Sequence, residues 1–412
     1  MPEPKGLDYL RMKLREKKIR NDLRYIYYES KYVTADLKIS TPPGLEWLNT
    51  VMGWCAKGVD MLADRLVFRE FRNDNFGLNE IYQLNNPDVL FDSAILGALI
   101  TACDFIYISP DEDGYPRLQV IDGCNATGIM DPITGMLSEG YAVLERDTIG
   151  NIISEAYFLP GLTQYYEGGE EVSRIEHGVG YPLLVPVVYR PDAKRPFGHS
   201  RISRACMQYV QNASRTVKRS EISAEFYSFP QRYVLGLSND AEEFDKWRVS
   251  MSAMLDFRKD EDGDKPSVGQ FQQQSMSPHF EQLRAEAALF AGETGLTLDD
   301  LGFATENPAS AEAIKASHEG LRLTARKAQR SFGSGFMNAG FLAACLRDNF
   351  DYRRQELYLT KPIWEPIFEP DASTLSVIGD GLIKINQAVP GYFGRTELRD
   401  LTGIEAGEIF EG

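Results

Sequence analysis

The strongest constraint on the fold lies in the middle of the chain. From Ser200 to about Phe226, Ile202, Cys206, Tyr209, Ala213, Val217 and Ile222 recur at spacings of three and four, which marks one apolar face of a helix. Ser200 is placed to cap it, and a helix of this length spans about 40 Å. Pro230 ends it. A second helical stretch opens at Ser277-Pro278 and runs through Leu283, Ala287 and Phe290 toward Gly292 and Gly295. Between the two lie about 45 residues that read as β-α-β. A strand starts at Tyr233, an amphipathic helix over 240–256 carries Phe244 and Trp247, a polar turn holds Asp260, Glu261 and Asp262, and a strand covers Val268–Phe271. Any architecture for the chain has to accommodate two long helices bracketing a small insert.

The preceding 200 residues change texture once. Residues 6–32 are dense in Lys, Arg and Tyr, with Leu14, Ile19, Leu23 and Ile26 at loosely helical spacing. After the break at Pro42-Pro43-Gly44, Trp47–Leu66 predicts a helix, and Asn86-Pro87 opens another, since proline suits the first helical position. Period two then takes over. Phe105–Ile108, a turn at Asp111–Gly114 and Leu118–Ile121 predict a hairpin, and strands follow at Tyr141–Glu145, Ile152–Leu159 and Leu162–Tyr166. Pro182–Tyr189 is apolar with two prolines and predicts an edge or irregular strand. Helices followed by an antiparallel meander make the fold class α+β.

Beyond the second long helix, a loop at Leu296–Thr305 leads into Asn307-Pro308, a strong helix start. That helix is expected to run past Arg330, with a kink or break at Gly320, Gly333, Gly335 or Gly340. Arg322, Arg326, Lys327 and Arg330 line part of it. Pro362–Pro366 reads as extended, and the tail as two short helices separated by Pro390-Gly391.

Composition and motifs exclude several classes. With 412 residues, 43% hydrophobic and 25% charged, the chain fits a globular protein of two to three domains at about 150 residues each. Cys55, Cys103, Cys124, Cys206 and Cys345 are widely spaced and form no Cys-x-x-Cys pair, so they read as buried apolar side chains. The most apolar stretch, Val89–Ile108, contains Asp92 and Asp104, whereas a membrane span needs about 20 nearly charge-free residues. A net charge of -16 argues against tight gripping of nucleic acid. No phosphate-binding Gly-x-x-x-x-Gly-Lys-Ser/Thr loop and no Gly-x-Ser-x-Gly elbow occurs. His318-Glu319 lacks a second histidine, and His177, His199, His279 and His318 are scattered. Neither enzyme activity nor a cofactor or metal is expected.

Phe197-Gly-His-Ser-Arg-Ile202, Leu301-Gly302, Asn307-Pro308-Ala309-Ser310-Ala311-Glu312-Ala313-Ile314, Phe332-Gly333 and Trp364-Glu365-Pro366 together resemble, in order and spacing, the conserved blocks of the siphovirus-type family of tailed-bacteriophage portal proteins. The resemblance runs from about Phe105 to the tail. It implies a wing at residues 1–199, stem helices at 200–228 and 276–295, and a clip at 229–275 between them. A tunnel loop at 296–306, a long helix and wing return at 307–372 and a crown at 373–412, shorter than many, complete the subunit.

The implied role is mechanical: a closed ring of about twelve subunits at one capsid vertex, assembled in the host cytoplasm and carried in the virion. Double-stranded DNA would pass through it during packaging and ejection without being read. Implied partners are the terminase large subunit, which supplies ATP hydrolysis, the major capsid and scaffold proteins, and neck or adaptor proteins; no membrane is implied. Thr297, Asp299, Asp300, Phe303, Thr305 and Glu306 would face the DNA, although an ordinary acidic surface loop has the same composition. Phe244, Trp247, Asp260, Glu261 and Asp262 would lie on the clip that faces the terminase. Arg322, Arg326, Lys327 and Arg330 would contact phosphate or, more in keeping with the excess of acids, pair with a neighbouring subunit. The competing readings are another phage head-completion protein, or an enzyme with an unrecognised site.

Overall fold

The computed structural model describes residues 4–35, 44–45, 47–228, 232–235, 267–270, 275–303, 316–368 and 372–402. The chain opens with helix α1 (Leu7–Tyr28) and continues through α2 (Trp54–Ala63), strand β1 (Phe68–Arg72), α3 (Leu78–Gln83) and α4 (Pro87–Thr101). Eight strands follow: β2 (Cys103–Pro110), β3 (Pro116–Ile121), β4 (Ala126–Met130), β5 (Leu137–Arg146), β6 (Ile152–Leu159), β7 (Leu162–Glu167), β8 (Glu170–Glu176) and β9 (Leu184–Val188). They form two antiparallel sheets, one ordered β3-β2-β9 and the other a meander ordered β4-β5-β6-β7-β8. The α+β class and the meander match the sequence reading.

Pro87 is the first residue of α4. Ala102, at φ 88, turns the chain straight from that helix into β2. Strand β9 pairs only with β2, which is where a proline-bearing strand fits, since Pro186 has no N–H to give a second neighbour. One helix differs from expectation. Residues 47–52 are not helical, and α2 begins only at Trp54. The backbone there is claimed by hydroxyls: Thr34 Oγ1 donates to Thr50 O at 2.5 Å and Tyr32 Oη to Met52 O at 3.3 Å. A segment so engaged cannot also close helical hydrogen bonds.

Helix α5 (Arg204–Ser228) and helix α6 (Ser277–Thr294) run antiparallel. Ser203 Oγ donates to Glu293 at 2.7 Å, Asn212 Nδ2 to Glu286 at 3.3 Å, and Ser223 Oγ lies 3.5 Å from His279 Nε2. Their far ends lead to β10 (Arg232–Leu235) and β11 (Ser267–Gln270), which pair antiparallel. At about 1.5 Å per residue, α5 is about 37 Å long. Ser203, not Ser200, caps it: its hydroxyl accepts the Cys206 N–H at 3.2 Å. Gly295, at φ 70, closes α6, and Gly292 lies inside the helix.

The long helix α7 (Glu319–Arg347) is continuous through Gly320, Gly333, Gly335 and Gly340. The expected break falls ahead of them instead, at His318, which separates helical residues 316–317 from α7. Three of the glycines are contact points. A Cβ on Gly333 would lie 2.7 Å from Pro362, on Gly335 3.3 Å from the β9 backbone, and on Gly340 3.1 Å from Leu78. Strand β12 (Lys361–Trp364) pairs with β1. Phe68, Phe91, Phe336 and Trp364 form an aromatic core there, with centroids 4.3 to 6.1 Å apart. Helices α8 (Ala372–Ala388) and α9 (Arg395–Thr402) end the described chain on either side of Pro390-Gly391.

Candidate functional site

The Phe197–Ile202 motif is the junction where α5 leaves the body. Gly198 has φ +73, and a Cβ there would lie 2.1 Å from the Tyr189 carbonyl oxygen. Only glycine lets the chain pass β9 this closely. Ser200 Oγ donates to Ile100 O at 2.6 Å, and the Arg201 N–H to Leu99 O at 2.8 Å, so the end of α4 is gripped twice. Arg201 reaches further: Nε donates to Gly58 O in α2 at 2.8 Å and a terminal nitrogen to Thr294 O, the last residue of α6, at 2.6 Å. One arginine thus joins α2 and α6 at the root of α5. His199 Nε2 lies 2.6 Å from Asp192 Oδ2, and Ile202 is buried.

The acidic segment after α6 begins anchored. The Thr297 N–H donates to Asp300 Oδ2 at 2.8 Å, and the Asp300 N–H to the Thr297 hydroxyl at 3.2 Å. This reciprocal pair shapes the short 3-10 turn at Asp299–Leu301, and Gly302 closes it at φ 89. Phe303 packs edge-on against Trp54 at 6.5 Å. His318 Nε2 lies 3.2 Å from Asp300 Oδ2, with both side chains largely buried. Burial raises the Asp300 pKa, but the Thr297 N–H and hydroxyl and then His318 outweigh it, so the carboxyl titrates below its ordinary value. Of the expected DNA-facing residues, Asp299 is exposed and Thr297, Asp300 and Phe303 are half-buried. Thr305 and Glu306 lie outside the described residues, as do Phe244, Trp247, Asp260, Glu261, Asp262 and the block 307–314.

The four expected cations of α7 divide. Arg322 forms a two-point ion pair with Glu319 on its own helix, at 2.6 and 2.5 Å, which raises its pKa. Arg326, Lys327 and Arg330 are exposed. Lys327 and Arg330 line a cleft of about 990 Å³ together with Arg190, His199, Ser203 and Glu293. With Arg326 they also border a smaller cleft of about 510 Å³ beside Trp364.

The sequence reading passed over a row on α1. Lys13, Lys17, Arg20 and Arg24 follow an i, i+4, i+7, i+11 spacing that sets them along one helix face. That spacing was the available signal. Lys13 and Lys17 stand 5.0 and 4.0 Å from the Phe197 ring centroid. Burial, then like charges, depress Lys13 to about 8 and Arg24 to about 10. Among the described residues no group of three or more His, Cys, Asp or Glu side chains could hold a metal ion, no helix is long and apolar enough to cross a membrane, and all five cysteines are buried and free.

The described chain is thus a helix-and-sheet body, an antiparallel pair of long helices rooted in it at the Phe197–Ile202 motif and ending at a small β-pair, and a long glycine-bearing helix packed on the body. The chain belongs to the phage portal protein family, SPP1 Gp6-like, whose model matches residues 13–368. It is a portal subunit of the virion and part of the conduit for viral DNA, and the family is a structural one. It is 24% identical over 406 residues to the portal protein of Mycobacterium phage D29, covering 93% of this chain and 82% of that one. To the portal protein of Mycobacterium phage L5 it is 23% identical over 397 residues, covering 90% and 80%. Similar solved structures include a chain in the virion of a native gene transfer agent particle, at 14% identity and TM-score 0.46 over 85% of this chain and 89% of that one. A chain in the neck of such a particle, computed with C12 symmetry, gives 14% identity and TM-score 0.47 over the same shares.

Proposed function

We propose that the subunit closes into a ring of about twelve copies, that duplex DNA slides through the ring without being read, and that the protein performs no catalysis of its own. The α1–β9 body with its β1–β12 pair is the wing, α5 and α6 the stem, and the β10–β11 end the clip that meets the terminase large subunit and later the neck or adaptor proteins. Residues 296–306 are the tunnel loop, α7 the long helix behind it, and α8–α9 the crown. Major capsid and scaffold proteins surround the wing. The observation that carries this reading is the antiparallel α5–α6 pair, whose near ends are tied into the body by Arg201 and whose far ends lead to β10 and β11.

The tunnel-loop assignment takes the Thr297–Asp300 turn and Phe303 as its root and Asp299, Thr305 and Glu306 as its DNA-facing part. An acidic, cation-free loop repels phosphate and favours sliding over holding. Electron microscopy and mass measurement of the full chain, with scaffold and capsid protein added, test the ring: closed particles with a central hole are expected, and persistent monomers under those conditions would overturn it. In packaging reactions with terminase, Asp299→Lys with Glu306→Lys is expected to slow translocation while rings still form. Unchanged packaging would remove the loop from the DNA path.

A further inference from the structure

We infer that the cation row of α1 is one half of a subunit–subunit contact, and that its occupant is the acidic β7–β8 hairpin of a second copy of this chain. The inference rests on the ring reading and names the surfaces that close the ring.

Lys13, Lys17, Arg20 and Arg24 make no ion pair among the described residues. Lys13 Nζ donates to Gly128 O at 2.5 Å, Lys17 Nζ to Thr127 Oγ1 at 3.4 Å and Arg24 to Thr101 O at 2.6 Å, all neutral acceptors. Arg20 is exposed. Glu139, whose charge acts on Lys13, is held elsewhere: its oxygens accept the Lys5 and Gly6 N–H groups at 2.7 and 3.0 Å and the Tyr157 hydroxyl at 2.8 Å, and Glu16, within a turn of Lys13 and Arg20, forms no ion pair among the described residues. Of the other α1 cations, Arg11 pairs with Glu155 and Lys18 with Asp22, while Arg15 forms no ion pair among the described residues. The chain carries 60 acidic residues against 44 basic ones. Four neighbouring cations without a carboxylate are therefore not the result of a shortage of acids.

The complementary surface lies across the sheet. Lys13 and Lys17 reach β4, at one edge of the five-stranded meander, Arg24 reaches the end of α4, and β8 is the opposite edge of that sheet. Four strand spacings separate them, roughly 19 Å. The β7–β8 hairpin turns at Gly168-Gly169 and exposes Glu167, Glu170, Glu171 and Glu176, with Arg174 alone of opposite sign. Glu171 is engaged by Arg174 at 2.9 Å, whereas Glu167 and Glu170 form no ion pair among the described residues. A cyclic ring is built from head-to-tail contacts, in which two different surfaces on opposite sides of each subunit meet. A basic surface at one edge and an acidic surface at the other satisfy that geometry, and such charge complementarity fixes register and partner choice.

The test uses the full-length chain under conditions in which the unmodified protein forms rings. Lys17→Glu with Arg20→Glu is expected to weaken assembly at least about tenfold, the size of one lost charge pair. Glu167→Lys with Glu170→Lys should do the same, and mixing the two variants should restore mixed rings. Arg20→Cys mixed with Glu170→Cys should give a disulfide-linked dimer on oxidation that neither variant gives alone. Full assembly of the Lys17/Arg20 variant would overturn the inference and leave the ring reading standing; an unmodified chain that forms no ring would overturn the ring reading itself. Rescue by Asp111→Lys with Glu112→Lys, and not by the hairpin variant, would assign the row to another acidic surface and overturn the pairing. Loss of DNA retention with normal rings would do so as well.

Discussion

Two glycines with nearly the same positive φ allow strain to be separated from crowding. Gly198 has φ +73 and Gly295 φ +70. Alanine at either position incurs the left-handed penalty of about 1–2 kcal/mol. Around Gly295 a new Cβ meets nothing closer than 3.7 Å, whereas at Gly198 it would lie 2.1 Å from Tyr189 O and 2.8 Å from Val188 Cγ1. The Tyr189 carbonyl also accepts the His199 N–H at 2.9 Å, and Tyr189 itself is held by Ala102 O at 2.9 Å. Moving that backbone loses about 1 kcal/mol of hydrogen bonding and about 1–3 kcal/mol of packing. Gly198→Ala is therefore expected to cost about 3–6 kcal/mol and Gly295→Ala about 1–2 kcal/mol. Urea unfolding of the unassembled chain, followed by tryptophan fluorescence, measures both on one transition. If Gly198→Ala shifts the midpoint no further than Gly295→Ala, the crowding argument for the Phe197–Ile202 motif is wrong.

Arg201→Met removes the donors to Gly58 O and Thr294 O. It should cost about 2–4 kcal/mol and raise hydrogen exchange at the α6 C-terminus and α2 together; protection unchanged in α6 would refute the clamp. Ser203→Ala removes the α5 cap and the hydrogen bond to Glu293 and should cost about 1–2 kcal/mol; unchanged stability and unchanged hydrogen exchange in the first turn of α5 would refute the cap. Asp104, fully buried, has its pKa raised well above the ordinary value by burial and then by Asp122, against the Thr101 and Gly123 hydrogen bonds. The folded state then holds its proton where the unfolded chain has lost it, so stability falls as pH rises between the two values. Asp104→Asn should flatten that fall above the ordinary carboxylate range, and an unchanged pH profile would count against it.

The sequence made visible what depends on local pattern. The α5 and α6 periodicities, the Pro87 start, the period-two run from Phe105 and the Pro390-Gly391 break all became elements close to where they were expected. What it hid depends on partners distant in the chain. Residues 47–52 look helical by composition but are held out of helix by Tyr32 and Thr34. Gly333, Gly335 and Gly340 look like breaks until β9, β12 and α3 come to lie against them. Strands β1, β4 and β8 are short or polar and gain their partners only through the sheets. In the acidic segment, composition does not distinguish Asp299 from Asp300; the contact with His318, 18 residues on, does.

The α1 row also makes assembly sensitive to pH, and the sign follows from Lys13. Its ammonium is depressed to about 8 by burial and by Lys17 and Lys5, with Glu139 opposing, whereas an unfolded lysine titrates near about 10.4. Between those values the unfolded chain binds the extra proton, so the isolated subunit gains stability as pH rises through this window. A carboxylate brought in by a neighbouring subunit acts oppositely, favouring the charged lysine and lifting its pKa. Assembly then takes up a proton, and its apparent affinity should fall as pH rises from 8 toward 10. The same contact should weaken with added salt, because Arg20 remains near solvent. Mass photometry across that pH range checks the sign. Rings that tighten with rising pH would mean that no carboxylate approaches Lys13, and a Lys13→Met chain should show a weaker dependence, with Lys17, also depressed by burial, left to titrate.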